Sequence, residues 1–468
     1  EENADGYRLI AAQPTTSTPP GIYRDDTELT ISLFAEGDIY YTLDGSTPTE
    51  ESARYTEPIT IEGTAVIRAS AVSEGKMMSS PVTLNYFLNV EHTLPIIAVT
   101  TDEANLDGED GIRAEKNLFD RTVERAANVA FYSDEGSFCV DCGLKLHGAG
   151  TRGKMTKKSY KVVFRTRYGV SPLEFPLFED DDTTQFYSFL IRNGQDYSRT
   201  FLRDELLSKI AYEGTDELFV QDSRFCVFYI NGEYQGIYCI KEAFSSGYFA
   251  THYGVSRDSV EVQRGYITEG TEFQELIAYA ESHDLSCDEY YRYVADRVNL
   301  ESLIDWSIYE AYAGNRDLSV NVRYYRSTEY DDNRWHYALF DLDYGFDGPA
   351  TFDYILADAW HGTLLKRLLK NADFRELFLT RMAYQLENYL TEENLMARVA
   401  ELSAQIESEI PRERARWVID EGRGWEAHLQ KLKRYLAYDR ADQLRRSIAT
   451  AMRIPLSEVE SYFTGDGT

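Results

Sequence analysis

Alternation of apolar and polar positions marks the N-terminal part of the chain. Glu28-Leu-Thr-Ile-Ser-Leu-Phe34 and Ala65-Val-Ile-Arg-Ala-Ser-Ala-Val72 carry the period of two that sends successive side chains to opposite faces of a strand. Turn residues separate such runs, and Pro14–Pro20 reads as a linker or the entry to a first strand. The pattern predicts a small all-β sandwich over residues 14–90. From Leu94 the texture changes. Strand-like runs recur at Ile96–Thr100, Gly143–Leu146, Tyr160–Arg165 and Phe189–Arg192, and Arg224–Ile240 reads as a hairpin on an Asn231-Gly232 turn. Helical periodicity marks Thr200–Tyr212, Glu272–Ser282, Leu300–Gly314 and Leu364–Leu390, and Thr391–Arg453 is helical almost throughout. The expected fold class is α+β, with strands before helices in a second unit over residues 91–468. Its core is placed at about 95–347, with a mostly helical part over 348–468.

Length supports that division, because 468 residues exceed what one ordinary core accommodates. The formal net charge of -31 argues against nucleic acid and against anionic membrane surfaces as partners. No apolar run approaches a membrane helix, so membrane insertion is not expected. Residues 1–13 read as a leader segment, and the chain as a mature one whose signal peptide has been removed. Five cysteines argue against a disulfide framework. Cys139-Val-Asp-Cys142 lacks the second ligand pair of a zinc site. Cys226 and Cys239 flank the hairpin turn and are candidates for proximity, or for separate burial as free thiols.

One stretch opposes the global charge. Between Asp141 and Glu174 there is no acidic residue, while Lys145, Arg152, Lys154, Lys157, Lys158, Lys161, Arg165 and Arg167 all fall there. It includes His147-Gly-Ala-Gly-Thr-Arg-Gly153, where Gly148, Gly150 and Gly153 allow backbone N–H groups to approach an anion. A glycine-rich turn between two strands, with lysines on the second, is how protein kinases cover ATP phosphates. A solvated basic loop would give the same composition.

A second constellation is acidic. Asn315-Arg-Asp-Leu-Ser-Val-Asn321 follows a predicted helix, and Trp335–Phe346 contains a short apolar run ending in Asp341-Leu-Asp343. Phosphoryl transfer needs oxygen ligands for Mg²⁺ and a carboxylate for the acceptor hydroxyl. Asp317 suits the second task, and Asn321, Asp341 and Asp343 suit the first. Taken alone, a DxD more often caps a turn. The order of glycine turn, lysine strand, Asp–Asn loop and terminal carboxylates argues for more than a cap.

Gly148–Gly153, Lys157-Lys158-Ser-Tyr160, Leu202-Arg-Asp-Glu-Leu206, Tyr229–Glu242, Asn315–Asn321 and Asp341–Phe346 jointly resemble the motif set of the spore coat protein H (CotH) kinase family. The resemblance spans roughly residues 95–347. It implies an atypical protein-kinase-like fold, ATP and Mg²⁺ as cofactors, and transfer of the γ-phosphoryl group to Ser or Thr of a protein substrate. It implies that Arg152 belongs to the phosphate turn and that Lys157, Lys158 or Lys161 contacts phosphate, with strand register deciding which. It further implies that Asp204 or Glu205 pairs with that lysine and that Ile240-Lys-Glu242 lies near the nucleoside, with Glu242 among the cofactor-binding residues. Asp317 becomes the catalytic carboxylate, and Asn321 and Asp341 metal ligands with Asp343 beside them. The Asp317-to-Asn321 spacing is one position shorter than in typical protein kinases.

Tyr40-Tyr-Thr-Leu-Asp-Gly-Ser-Thr-Pro-Thr49, with Tyr55 and Pro58–Ile61, resembles the fibronectin-like module at the C-terminal end of chitobiases and hexosaminidases. That likeness implies an accessory piece of a secreted bacterial protein, a spacer in preference to a carbohydrate binder. The combined expectation is a secreted or cell-surface kinase, or a spore-associated one. Two other functions fit the same residues. One is a catalytically weak surface-binding or adhesion protein on a kinase-like fold. The other is a phosphotransferase acting on a sugar or other small molecule. A glycosidase is disfavoured, since it leaves the basic glycine turn without a role.

Overall fold

In the computed structural model, residues 9–148, 150–179, 182–194, 200–265, 270–357, 360–417 and 424–463 are described, with residues 151, 154, 319 and 320 by backbone only. The leader expectation for residues 1–8, the turn residue Ala149 and the Lys154 side chain therefore lie outside the description. The alternating segments near the N-terminus pair as their pattern requires. Gly21–Tyr23, Val82–Leu88, Ala65–Val72, Asp38–Thr42 and Ala53–Arg54 form a five-stranded sheet in that order, and Leu29–Ile31 pairs with Ile59–Ile61. Ile31, Ile59, Ile61, Ile67 and Leu84 meet in one apolar core between them.

The last sandwich strand faces two cores. Leu84, Tyr86 and Leu88 point into the sandwich, whereas Phe87 stacks edge-on against Tyr132 and Tyr229 of the following unit. This is the pleat serving two partners. Asp102 adds a polar tie, accepting hydrogen bonds from the backbone N–H (2.6 Å) and hydroxyl (2.8 Å) of Thr47.

The second unit begins with a closed barrel. Ile96–Thr100, Arg125–Ser133, Gly136–His147, Ser159–Val163, Ser188–Arg192, Glu233–Glu242 and Ser223–Ile230 follow one another around it. Parallel pairing of Ile96–Val99 with Val227–Ile230 closes the ring, and every other pair is antiparallel. Alternate residues fill the interior, among them Val99, Phe131, Leu144, Val162, Ile191 and Phe228. The outward positions Ala98, Val227, Tyr229 and Ile237 pack instead on the helical core.

Several expectations change here. Arg125–Ser133 is a barrel strand that the sequence pattern did not single out. Strands also recur among the helices: Val260–Arg264 and Arg323–Ser327, whose charged residues hide their period, join His336–Ala338 in a separate three-stranded sheet. The apolar run before Asp341 reads as a buried strand over residues 337–340, and it is strand only as far as Ala338. The Leu364–Leu390 helix is broken after Leu368, and Asn371 starts a new helix by accepting from the N–H groups of Asp373 and Phe374. Cys226 and Cys239 do not face each other. Register sets Cys226 opposite Tyr238, so Cys226 points into the barrel and Cys239 out of it, and all five thiols are free. Among the described residues, no helix is long and apolar enough to cross a membrane.

Candidate active site

A cleft of about 320 Å³ opens between the barrel, the three-stranded sheet and two loops. One wall is strand-built. In register, Lys145 lies opposite Lys161, Lys161 opposite Leu190, and Leu190 opposite Lys241. These positions alternate with interior ones such as Leu144, Val162 and Ile191, so the row points out of the barrel. Burial and the nearby cations Arg264, Lys145 and Arg165 pull the Lys161 ammonium down to about 8. Burial, with Arg192 and Lys161 beside it, holds the His147 imidazole far below its ordinary value, hence neutral at pH 7.

The glycine turn closes this wall. After Gly148, whose φ of +89° suits glycine, the chain makes a short helix over Gly150–Lys154 instead of an open turn. Arg152 donates to the Leu146 carbonyl (2.7 Å), and Lys158 donates to the Arg152 carbonyl. Gly148, Gly150 and Arg152 all line the cleft.

The opposite wall is acidic and hangs on loops. The helix Leu300–Ala313 ends at Gly314, and the chain turns through Asn315 to Asp317, which starts the short helix Leu318–Asn321. A buried relay fixes that turn. The Asn315 amide nitrogen donates to Glu310 Oε2 (2.9 Å), while its Oδ1 accepts from the Asp317 N–H (3.1 Å). Burial pushes the Glu310 carboxyl up to about 8. Burial and the Asp341 charge also raise Asp317, against a hydrogen bond from Asn321 Nδ2 (3.0 Å) that lowers it.

The second loop is clamped from the helix Arg203–Gly214. Asp204 Oδ1 accepts from the N–H of Leu342, between Asp341 and Asp343, at 3.1 Å. Its Oδ2 takes the Lys241 ammonium at 2.7 Å, and Arg203 donates to the Gly345 carbonyl. Burial opposes ionisation of Asp204, but Lys241 and Arg192 outweigh it and hold the carboxyl below its usual range. Arg192 spans the walls, reaching Asp341 at 3.0 Å and Asp343 at 3.9 Å.

The donors suit a hard cation. Asp341, Asp343 and Asn321 offer oxygens on one side of the cleft. Among the described residues, no three His, Cys, Asp or Glu groups gather as a metal cage. Mg²⁺ usually takes one or two carboxylates and completes its shell with substrate phosphates and water.

The CotH kinase protein model matches residues 144–270 and 255–442, more than half of the chain. The chain belongs to the CotH kinase protein family. The chitobiase/β-hexosaminidase C-terminal domain model matches residues 18–83, over the sandwich. No curated protein matches the chain. The CotH match takes in both walls, from Leu144 through Asp317, Asn321, Asp341 and Asp343, and the helix Ile410–Arg416 beyond them.

Most of the candidate CotH residues meet in the cleft: Gly148, Gly150, Arg152 and Lys161 on one wall, Asp317, Asn321, Asp341 and Asp343 on the other. Four do not line it. Lys157 precedes the strand, so the pleat does not orient it. Its ammonium enters the barrel mouth, bound by Glu413 (2.7 Å) and the Ile237 carbonyl (2.6 Å). Lys158 braces the turn from behind. Gly153 faces Phe119. Glu242 pairs in register with Phe189, so it points away from the face of Leu190. Its carboxylate accepts from the Asp222 N–H (2.9 Å) and meets His252 (2.6 Å), and Ala243 and Phe244 line the cleft in its place. The lysine that pairs with Asp204 is Lys241, none of the three named from sequence.

Sequence reasoning missed four cleft cations: Arg121, Arg192, Arg264 and Arg323. Arg192 alone carried a signal, at the end of a predicted strand. The others come from segments whose approach only the tertiary fold determines.

Proposed function

We propose that this CotH protein transfers the γ-phosphoryl group of ATP to a Ser or Thr hydroxyl of a protein, with Mg²⁺. One observation carries the reading: the acid-free glycine–lysine segment and the Asp317, Asp341 and Asp343 carboxylates line a single cleft in a chain of net charge -31. Phosphoryl transfer is mostly positioning and electrostatics, so a basic cradle facing carboxylates is what the reaction asks of a protein.

The residues divide the work. Backbone N–H groups at Gly148 and Gly150, with Lys161 and Arg152, bind the phosphates. Asn321, Asp341 and Asp343 would hold Mg²⁺, which supplies charge neutralisation across the phosphates when bound. Asp317 accepts the proton of the acceptor hydroxyl. The hydroxyl oxygen forms the new P–O bond, and the bond from the γ-phosphorus to the ADP oxygen breaks. A raised carboxyl at Asp317 suits this exchange better than an ordinary aspartate. The matching module at residues 18–83 supports a secreted or surface setting, in which the sandwich serves as a spacer.

The test is incubation with radiolabelled ATP and Mg²⁺, with and without added protein acceptors. Phosphoserine or phosphothreonine should form, and Asp317→Ala and Asp341→Ala should each lower the rate at least about a hundredfold. Transfer that survives Asp317→Ala would falsify the assignment. Nucleotide binding with no phosphate incorporated would make the protein a binder, and label appearing only on sugars would make it a small-molecule phosphotransferase.

A further inference from the structure

One end of the cleft is apolar. Ala243 and Phe244 follow the barrel strand Glu233–Glu242, and the Phe340 ring lies 6.2 Å from that of Phe244. All three line the cleft, and so does Gln221, a side chain only 3% exposed. The outward row of the barrel links this end to the phosphate wall. It runs from Lys161 through Leu190 to Lys241, two residues before Ala243. Two strand spacings make about 10 Å. The apolar end therefore lies where a nucleoside reaches when its phosphates rest at Lys161.

The Gln221 amide has a fixed orientation. Its Nε2 donates to the Glu242 carbonyl, next to Ala243. A carbonyl can only accept, so the amide cannot turn its own oxygen to that side. Gln221 Oε1 has no hydrogen-bond partner among the described residues. The side chain thus keeps a free acceptor within the lining of the cleft.

The backbone around it is held from both sides. Phe219 donates to the Tyr337 carbonyl (3.3 Å) and accepts from the Leu339 N–H (2.8 Å). Asp222 accepts at its carbonyl from the Glu242 N–H (3.1 Å), and its own N–H donates to Glu242 Oε2 (2.9 Å). The N–H and the carbonyl of Glu242 are both engaged within the protein. At this residue the strand end offers a base no unengaged main-chain edge, and the side chain of Gln221 stands beside it instead.

Resting on the kinase reading, we propose that Gln221 reads the nucleotide base: its Oε1 accepts from the exocyclic amino group of a 6-aminopurine, and 6-oxopurines are rejected. Glutamine amides pair with that amino group in nucleic-acid recognition as well. A 6-oxopurine sets its own carbonyl against Oε1. The Glu242 carbonyl blocks the amide flip that would relieve the repulsion. Discrimination by unpaired polar atoms is far stronger than discrimination by size.

The test uses the full chain with Mg²⁺ and displacement of a fluorescent ATP analogue. The competitors are ATP, purine riboside triphosphate, inosine triphosphate and inorganic tripolyphosphate. Purine riboside triphosphate lacks the amino group and should bind about tenfold more weakly than ATP. Inosine triphosphate carries the 6-oxo group and should bind about a hundredfold more weakly. Gln221→Met keeps the bulk without the amide. It should bring the three nucleotides to within about threefold of one another and leave tripolyphosphate affinity unchanged. Equal affinity of the wild type for ATP and inosine triphosphate would sink the proposal, and this series decides even where Gln221→Met does not fold. A Gln221→Met variant that weakens tripolyphosphate as much as ATP would overturn it too, since a base-reading residue leaves the phosphate wall alone. Base selectivity without phosphate transfer would keep the Gln221 assignment and overturn the kinase reading. Transfer from ATP and inosine triphosphate with equal kcat/KM would do the reverse.

Discussion

The two walls of the cleft are built by different means. On the barrel side, Lys145, Lys161 and Leu190 stand in one row because three neighbouring strands are in register, and the pleat alone aims them. On the other side no regular element aims Asp317, Asp341 or Asp343. Buried polar groups grip the loops instead: Glu310 through Asn315, and Asp204 with Lys241. A wall of the first kind tolerates exchange of its outward side chains, because the ladder hydrogen bonds lie elsewhere. A wall of the second kind loses its geometry when one clamp goes, since each clamp is a satisfied buried group whose partner is then left unpaired.

The largest expected effect lies beneath the barrel wall. Lys157 and Glu413 are both fully buried, 2.7 Å apart. Glu413 also accepts from the Ile237 N–H at 2.7 Å, beside Gly236, where a side chain would collide with it. Glu413→Ala strands a buried ammonium and should cost about 3–5 kcal/mol in chemical denaturation. Replacing both, Lys157→Met with Glu413→Leu, should recover most of that loss and leave the nucleotide KM near the wild-type value. A double variant that folds but no longer binds nucleotide would make Lys157 a phosphate ligand and erase the contrast between strut and wall.

Next comes a clamp on the acidic wall. Asp204→Ala removes the acceptor for the Leu342 N–H and the close partner of Lys241. Displacing a loop of the reacting site by about an ångström costs roughly a hundredfold in rate. The expected result is a fall in kcat of that size, with a far smaller change in acceptor KM. An unchanged kcat in a folded Asp204→Ala variant would show that the loop holds itself.

The same contrast explains what the sequence disclosed. The period of two in Ala65–Val72 survives into the structure because alternate residues such as Ile67 and Ala69 answer to an apolar core. The acid-free segment and the paired carboxylates were visible as composition, and they do share the cleft. Direction was not visible. Lys157, Lys158 and Lys161 are equivalent as letters, yet only the last lies in the pleated row, since the strand begins at Ser159. Arg264 and Arg323 are 59 positions apart and meet only through strand register. Lys241 hid between two apolar-looking faces, and Glu310 reads as one polar residue in a helix until Asn315 is found on it.

The smallest predicted effect separates charge from packing on the barrel wall. Lys161 falls from 10.5 to about 8 because it is buried among cations. Below about 8 it is charged and attracts phosphate; above, it is neutral. Nucleotide affinity should therefore decline by up to about tenfold as pH rises from 7 to 9. Lys161→Arg, charged throughout, should abolish the decline, and Lys161→Met should start low and stay flat. Stability runs the other way. The unfolded chain holds this proton up to about 10.5, so between about 8 and 10.5 it binds more protons than the folded one. The penalty for the buried charge is present below about 8 and is lifted as pH rises through that window. The stability of the wild type relative to Lys161→Met should accordingly improve from pH 8 to 10, while its advantage in nucleotide binding disappears. Opposite trends from one ammonium identify a group held at a cost for its charge. Parallel trends, or none, would mean that Lys161 contributes only its stem to the wall.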